Sequence, residues 1–328
     1  METLNQEHSR VKAGTGDSKA GLAYGIAAYG LWGAVPVYFK TLQHVPAAEL
    51  LAQRIVWSTV LLIGIVTLRQ SWSNLIHCLR TPRTRTTLLF TTLLIAVNWF
   101  VYIYGVTTQR VMQTSLGYFI APLASTALGV LVLKEKLRPG QIVALSLAVL
   151  GVVVLTVLAG ELPWIALTLA VSFGLYGLLR KTVAADSLTG LTIESIMLFP
   201  IALGYAVWLM WFGQAKFAHL NRQTDLLLIA GSVVTVVPLF CFAQAARRLR
   251  LTTMGFLQYL SPTGQFLLAI WLFDETVNVH KLAGFAFVWA ALAVYTIDAL
   301  MAWRRNRRLT IAQTVVPEPA VDQTMASG

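Results

Sequence analysis

Ten long apolar segments, separated by short polar stretches, make up most of the chain. A transmembrane helix needs about 20 mostly apolar residues, and each segment is close to that length. The connection at 109–111 is so short that the helices beside it must be antiparallel neighbours. The pattern therefore predicts an all-α polytopic membrane protein with ten transmembrane helices. The predicted helices cover residues 20–39, 47–68, 86–108, 112–133, 140–158, 162–181, 190–213, 224–246, 251–273 and 280–302.

The composition excludes a soluble globular protein. Charged residues make up 12% of the 328 residues, against roughly 25% in an ordinary soluble domain, while hydrophobic residues reach 57%. The mean hydropathy is +0.68. The net charge of +11 comes from basic clusters between apolar segments, which is typical of membrane proteins with cationic cytoplasmic loops. We therefore predict a lipid bilayer as a partner, and no nucleic acid.

Basic residues near helix ends are retained on the cytoplasmic side of a membrane. With the N-terminus inside, 19 of the 25 Lys and Arg residues fall in cytoplasmic segments, five fall on the opposite side, and Arg54 lies inside the second span. Both termini are therefore predicted to be cytoplasmic. Residues 1–19 form a polar tail without the apolar region of a cleaved signal peptide, and residues 303–328 form a tail that is first basic and then disordered.

The two halves of the chain align with each other. A shift of 140 residues places Pro122 over Pro262 and Glu135 over Glu275. A unit of five helices has an odd number of spans, so a second copy must enter the membrane in the opposite orientation. The loop K-E-K-L-R before the fifth helix becomes D-E-T-V-N before the tenth, as the positive-inside rule requires of an inverted copy. The predicted repeats cover 20–158 and 162–302, and such inverted repeats are typical of secondary carriers.

Motifs for catalysis or metal binding are missing from the sequence. Cys78 and Cys241 lie near or within apolar segments at no metal-like spacing, and the five histidines are scattered. Neither G-x-S-x-G nor H-E-x-x-H occurs. We predict a carrier with no metal, no cofactor and no enzyme activity. An integral-membrane enzyme and a membrane sensor or scaffold stay open as alternatives.

Two long stretches carry a family resemblance, A-Y-G-L-W-G-A-V-P-V-Y-F-K at 28–40 and R-L-R-L-T-T-M-G-F-L-Q-Y-L-S-P-T at 248–263, and shorter ones lie at 54–58, 98–99, 115–123 and 235–242. Together they resemble the RarD group of the EamA family, within the drug/metabolite transporter superfamily. The resemblance covers about 20–303. It implies two EamA repeats in a bacterial inner membrane and a permease that moves a small organic metabolite or drug by alternating access. It also implies a link to chloramphenicol sensitivity or resistance.

Arg54 stands out because it lies about seven residues into the second span. An arginine near the centre of a transmembrane helix costs about 2.5–3.5 kcal/mol on insertion scales, so it normally faces protein or a wet cavity. Trp57 lies one turn further along the same face. We predict that both residues bind substrate. The alternative for Arg54 is that its long side chain snorkels to the outer surface.

Asn98, Trp99 and Tyr102 occupy the middle of the third span, where Asn98 and Tyr102 share a helix face. An amide and aromatic rings suit a partly polar organic substrate, and we predict that the three residues bind it. The alternative is an interhelical hydrogen bond with ordinary packing, which needs no ligand.

Pro122 and Pro262 lack N–H groups, so the carbonyls of Tyr118 and Gln258, four residues earlier, lose their helical partners. Paired helix interruptions at corresponding points of two halves indicate a carrier site. We predict gating at the two prolines and substrate binding by Tyr118, Gln258 and the adjacent Tyr259. The alternative is that each proline only bends its helix.

Two further features are candidates for gating or coupling. Pro36 frees the carbonyl of Trp32 in the same way, near one end of the pathway. Glu194 lies near the start of the seventh span, where an intramembrane carboxylate could bind a proton or a cation. The alternative for Glu194 is a solvated helix cap.

Gly21 and Gly25 form a G-x-x-x-G motif that permits close helix approach. The motif is compatible with a homodimer and with packing inside one chain. We favour packing inside one chain.

Overall fold

The computed structural model describes residues 2–108, 110–159, 164–272 and 279–315, and these residues form helices and short connections without any strand. The helices are α1 (Glu2–Thr41), α2 (Ala47–Leu68), α3 (Trp72–Arg80), α4 (Pro82–Thr107), α5 (Val111–Leu131), α6 (Pro139–Ala159), α7 (Trp164–Thr182), α8 (Ser187–Trp211), α9 (Arg222–Arg248), α10 (Leu251–Gln258), α11 (Leu260–Trp271) and α12 (Val279–Val315). The predicted all-α class is therefore confirmed.

Five helices in the described residues are long and apolar enough to cross a membrane. They are Asp17–Thr41 of α1, Ala47–Leu68, Pro82–Gly105 of α4, Ser187–Trp211 and Arg222–Arg248. Shorter apolar helical segments cover Leu116–Leu131, Pro139–Val154 and Ala286–Ala302. Large apolar side chains on the outside include Phe100, 70% exposed, and Ile201, 74% exposed. Apolar surface of this extent is unfavourable in water and is accommodated by lipid.

The short helix α3 is a feature that the apolar-segment pattern did not predict. Its nine residues would span about 14 Å as a helix, too little to cross a bilayer. Leu75 and Cys78 lie on one face and are buried in a cluster with Val183 and Ile193. The helix is short and its apolar residues alternate with Ser73, Asn74, His77 and Arg80, so a search for long apolar runs passes over it. Helix α3 covers the cytoplasmic end of the predicted topology between α2 and α4.

The observed helices extend beyond both predicted ends of the membrane domain. Helix α1 begins at Glu2, inside the segment predicted as a polar tail. Helix α12 ends at Val315, so the first part of the segment predicted as a disordered tail is helical. The remaining residues of the C-terminal tail prediction lie outside the described residues.

The ninth predicted span is two helices, α10 and α11, that meet at Tyr259. Pro262 has no N–H to donate to the Gln258 carbonyl, and the Tyr259 N–H bonds instead to the Phe256 carbonyl at 3.2 Å, in a tighter turn. Pro122, its partner in the sequence alignment, lies inside the uninterrupted helix α5. The two prolines therefore differ in their effect: one interrupts its helix and the other does not.

The helices pack around an aromatic core formed mainly by α1, α7 and α9. Tyr29, Tyr176 and Phe242 are buried there with Met254 of α10. The rings of Tyr176 and Phe242 are stacked with centroids 5.8 Å apart. Around this core, α1 packs on α9, α2 on α8, α5 on α7 and α6 on α12.

The G-x-x-x-G motif of α1 is used inside the chain. A Cβ atom on Gly21 would lie 2.8 Å from the Arg248 Cβ, and one on Gly25 would lie 2.7 Å from the Leu257 Cδ1. The two glycines therefore let α1 approach α9 and α10 closely, as the intramolecular interpretation predicts.

Gly255 permits a similar close approach of α10 to α5. A Cβ there would lie 2.6 Å from the Pro122 carbonyl oxygen and 2.5 Å from the Thr126 Oγ1. Backbone oxygen cannot move aside as a side chain can, so we expect Gly255→Ala to lower the free energy of unfolding by about 1–3 kcal/mol. The measurement is thermal unfolding of the purified protein in detergent.

Gly30→Ala is the matched control, because Gly30 is exposed in α1 and a Cβ there meets no atom within 4 Å. An alanine at such a helix position is expected to stabilise by up to about 1 kcal/mol. Equal unfolding midpoints for the two variants would show that the α5–α10 contact is not tight.

Candidate functional site

A cavity lies between α2, α4, α7, α8 and α9. Its enclosed volume is about 20 Å³, and the empty space counted together with its open mouth is about 430 Å³. Most of the lining is apolar, and the polar atoms come from Ser58, Tyr176, Glu194, Ser195 and Thr235. The other lining residues are Ile55, Leu62, Ile95, Trp99, Leu191, Leu198, Val236 and Leu239. An apolar pocket with a few convergent polar groups is the usual form of a small-molecule site.

Arg54 contacts two of the residues that line this cavity. Its Nε donates to the Thr235 Oγ1 at 2.8 Å, and its guanidinium carbon lies 6.0 Å from the centre of the Trp99 ring. The Phe39 ring, on α1, is 5.5 Å away. Gly231 makes room for these contacts, because a Cβ there would lie 3.1 Å from the Arg54 Cγ. Arg54 therefore points between α1, α4 and α9.

Three tyrosines surround the same guanidinium. Tyr38, Tyr102 and Tyr118 all lie within electrostatic range of Arg54. The rings of Tyr102 and Tyr118 meet edge to face, with their centres 6.4 Å apart. The Tyr38 hydroxyl donates to the Leu227 carbonyl at 3.0 Å. The structure thus places the predicted residues Arg54, Trp99, Tyr102 and Tyr118 in one neighbourhood.

Glu194 lines the cavity and is 4% exposed. Its carboxylate accepts hydrogen bonds from the Thr91 hydroxyl at 2.7 Å and the Tyr176 hydroxyl at 3.1 Å. The Arg180 Nη1 lies 3.6 Å from its Oε1. Glu194 is therefore a buried, paired carboxylate, and the alternative of a solvated helix cap is wrong.

Arg180 is 1% exposed, although its position at the end of a span suggested a cytoplasmic loop cation. Gly190 of α8 provides the space, because a Cβ there would lie on the Arg180 guanidinium. The Arg180 Nη2 also donates to the Ser187 carbonyl at 3.1 Å. Arg180 therefore supplies the countercharge of Glu194.

Comparison with known proteins agrees with this architecture. Residues 19–157 match the EamA-like transporter family. The chain is 42% identical to an uncharacterized transporter of Vibrio cholerae over 89% of this chain and 97% of that protein. It is 40% identical to the protein RarD of Escherichia coli K12, over 89% of this chain and 98% of that protein. The chain belongs to the EamA-like transporter family. The family resemblance predicted from the sequence motifs is thereby confirmed.

A crystal structure with 18% sequence identity shares the fold of this EamA protein. The TM-score is 0.65, and the match covers 87% of this chain and 99% of the other. The fold therefore extends over the second half of the chain as well as the half that matches the family.

Asn98 and Trp57 do not join Arg54 in this EamA protein. The Asn98 Nδ2 donates to the Leu169 carbonyl and the Ser172 Oγ, both at 2.9 Å, which ties α4 to α7. This is the interhelical bond of the alternative interpretation. The Trp57 Nε1 donates to the Gln53 Oε1 at 3.1 Å. The side chains of Trp57 and Arg54 point about 60° apart around α2. Trp57 therefore faces a different segment of the chain and not α9.

Gln258 and Tyr259 lie in the contact between α5 and α10, outside the cavity lining. The Gln258 Oε1 accepts from the Ser125 Oγ at 3.4 Å. Tyr259 is 1% exposed, and its hydroxyl donates to the Phe119 carbonyl at 3.3 Å. Pro122 and Pro262 are likewise absent from the lining. The structure places these residues in helix packing, although the bond from Ser125 is long.

The Trp32 carbonyl, freed by Pro36, finds a partner on another helix. The Gln265 Nε2 of α11 donates to it at 3.3 Å. The Trp32 ring packs against a buried cluster that includes Leu62 and Leu191, two residues of the cavity lining. Trp32 therefore contacts both α11, the second part of the interrupted ninth span, and the wall of the cavity.

Sequence reasoning missed Ser58, Thr91, Tyr176, Arg180 and Thr235. Four of them carry a hydroxyl in an apolar helix, where nothing in the sequence separates a site residue from one bonded to its own backbone. Ser58 follows Arg54 by one helical turn inside the motif R-I-V-W-S, and this spacing was a usable signal. In the described part of the chain, no three His, Cys, Asp or Glu side chains come together as a metal site.

Proposed function

We propose that this protein is a secondary transporter of the bacterial inner membrane. It moves a small organic metabolite or drug by alternating access, with ten transmembrane helices arranged as two inverted five-helix repeats. The observation that carries the proposal is the cavity between α2 and α8, lined by Glu194 and by the contact residues of Arg54.

Helix packing supports the two repeats. One unit would contain α1, α2, α4, α5 and α6, and the other α7, α8, α9, the pair α10 and α11, and α12. Exchanging the units converts the α1–α9 contact into the α4–α7 contact, and the α2–α9 contact into the α4–α8 contact. The contacts α2–α8, α5–α10 and α6–α12 convert into themselves. Such exchange is expected when two repeats are related by a pseudo-twofold axis.

The position of the cavity supports transport. Helices α2 and α8 are the second helices of the two units, so the space between them lies where the halves meet. Carriers with inverted repeats bind substrate at that interface, near the middle of the bilayer, and expose it by moving one half against the other. Ten spans and repeat boundaries near 158 and 162 follow from this arrangement.

Roles for the individual residues belong to the same proposal. Arg54, Trp99, Tyr102 and Tyr118 bind substrate, and Glu194 couples transport to a proton or a cation. Gating involves Trp32, Pro36, Pro122 and Pro262, of which Pro262 has support from the interrupted helix at Tyr259. Asn98, Trp57, Gln258 and Tyr259 position helices around the site through the contacts described above.

The test is flux into proteoliposomes that contain the purified protein, under imposed proton and sodium gradients. The solutes are a panel of metabolites together with amphenicols, because the RarD resemblance links the group to chloramphenicol. Empty liposomes are the control. Product formation by the detergent-solubilised protein without vesicles would favour an enzyme. Absence of flux with a stable protein partner would favour a sensor or scaffold.

The cytoplasmic location of both termini predicts which loops react in intact cells. In a background with Cys78→Ala and Cys241→Ala, we expect Lys136→Cys to resist a membrane-impermeant thiol reagent and Gln214→Cys to react. Both native side chains are exposed, so local burial does not decide the result. After lysis both positions should react, and labelling of the Lys136 position alone in intact cells would reverse the topology.

A further inference from the structure

Arg54 is a cation inside the predicted second span without a countercharge among the described residues. Of its guanidinium nitrogens, Nε bonds to Thr235, and the two η nitrogens donate to no described residue. No described carboxylate lies within ion-pair distance of it. Glu49, five residues earlier on α2, instead accepts the backbone N–H groups of Lys216 and Phe217 at 2.7 and 3.0 Å.

The other charged groups near the cavity neutralise each other. Glu194 is paired with Arg180 at 3.6 Å, and the hydroxyls of Thr91 and Tyr176 complete its hydrogen bonds. The groups facing Arg54 are the phenols of Tyr38, Tyr102 and Tyr118, which are neutral donors and acceptors at physiological pH. The site therefore holds one uncompensated positive charge.

We infer that Arg54 binds the anionic group of a small organic acid, whose carboxylate pairs with the free η nitrogens. This inference rests on the proposed transport function and names its substrate class. A guanidinium offers two parallel donors that match the two oxygens of a carboxylate. The carboxylate would neutralise a positive charge that is costly inside a membrane span.

The surroundings define the rest of the ligand. Phe39 and Trp99 flank the guanidinium, and the adjacent cavity is walled by aliphatic side chains such as Leu62, Val236 and Leu239. Such walls favour an apolar or aromatic body attached to the acid. Ser58 adds a buried hydroxyl without a partner at the lining, which could bond a second polar group of the ligand.

The experiment compares acids with their neutral amides. Thermal unfolding of the purified protein is titrated with benzoate, phenylacetate and indole-3-acetate, and with benzamide, phenylacetamide and indole-3-acetamide. We expect at least one carboxylate to raise the unfolding midpoint while its amide does not. Arg54→Gln should weaken carboxylate binding at least about tenfold, because one partner of a desolvated charge pair is lost. Arg54→Lys should lie between, because it keeps the charge and loses the planar donor pair.

Arg69→Gln is the matched control, because Arg69 is an exposed arginine at the other end of α2. It should respond to the carboxylates like the native protein. The inference is overturned if no acid stabilises the protein, if the amides stabilise it equally, or if Arg54→Gln retains the response to the acids.

A lipid phosphate could also occupy Arg54, so the titration is repeated in nanodiscs of phosphatidylcholine and of phosphatidylglycerol. Loss of the acid response in phosphatidylglycerol nanodiscs, with the response kept in phosphatidylcholine nanodiscs, would assign the site to lipid and overturn a substrate.

Failure of this inference and failure of transport are distinguishable. Proteoliposome flux of any solute in the panel, with no preference for acids and no effect of Arg54→Gln, would retain transport and reject the acid site. Binding of acids through Arg54 without flux of any solute would reject transport.

Discussion

Arg180→Met is expected to reduce the free energy of unfolding by about 3–5 kcal/mol, because it leaves the Glu194 carboxylate buried without its cation. Arg180 is 1% exposed and Glu194 is 4% exposed, so water cannot replace the missing partner without structural change. Thr91 and Tyr176 would still donate hydrogen bonds to the carboxylate, but neither supplies a charge. The measurement is thermal and denaturant unfolding of protein purified from membranes.

A double variant separates charge from packing. Arg180→Met combined with Glu194→Gln removes both charges and keeps side chains of similar size, so it should recover most of the stability lost by Arg180→Met alone. Arg69→Met serves as the control for loss of an arginine at an exposed position, where effects are usually within about 0.5 kcal/mol. If Arg180→Met unfolds like the native protein, Glu194 is not held by this ion pair.

Fold features that depend on length were predictable from the sequence. The bounds of α2 were predicted correctly at 47–68, because Pro46 precedes its apolar run and the polar Arg69 follows it. Helix α3 was missed because nine amphipathic residues do not form a long apolar run. The interruption at Tyr259 was anticipated from Pro262, but Pro122 predicts the same event and α5 continues through it. A proline removes one hydrogen bond in each case, and the neighbouring helices decide whether the helix bends or breaks.

Site features that depend on helix orientation were less predictable. Arg54 could be selected because a charge in a span is costly wherever its helix faces. Asn98 and Trp57 looked equally suitable, but their use depends on which neighbouring helix each one meets. Arg180 was counted among the 19 cytoplasmic basic residues because it lies near the end of its span, whereas Gly190 on another helix provides the space that buries it. A single sequence shows which residues share a face of each helix. It does not show which neighbouring helix that face will contact.

The charge distribution around the cavity indicates different functions for two charged clusters, one around Arg54 and one around Glu194. The Arg54 cluster has an uncompensated cation and is free to pair with a ligand. The Glu194 cluster is closed by Arg180, Thr91 and Tyr176, so a proton or cation entering it must compete with an existing partner. Such competition is one way in which an ion can bias a carrier between two arrangements. Both clusters border one cavity. A side chain that fills this cavity should therefore interrupt both substrate binding at Arg54 and ion coupling at Glu194.

Ser58→Phe is therefore expected to abolish most transport while leaving the protein folded. Ser58 lies on α2 at the cavity lining, is 3% exposed, and its hydroxyl has no hydrogen-bond partner. A phenyl ring would extend into a space walled by apolar residues such as Ile95 and Leu239, so its burial is favourable. A substrate that must share this space would meet overpacking of about 1–3 kcal/mol, which corresponds to a loss of about five- to 160-fold in flux.

Val60→Phe is the matched control for this substitution, because Val60 lies two residues away on α2 and is 50% exposed on the outer surface. Added volume at that position extends into lipid and should leave flux near the native value. Initial rates in proteoliposomes at equal protein content, together with thermal unfolding of each variant, provide the comparison. Native flux in Ser58→Phe with an unchanged unfolding midpoint would show that substrate does not pass between α2 and α8. Ser58→Ala removes the unpartnered hydroxyl without filling the space, so loss of flux in Ser58→Phe but not in Ser58→Ala would assign the pathway to the cavity itself.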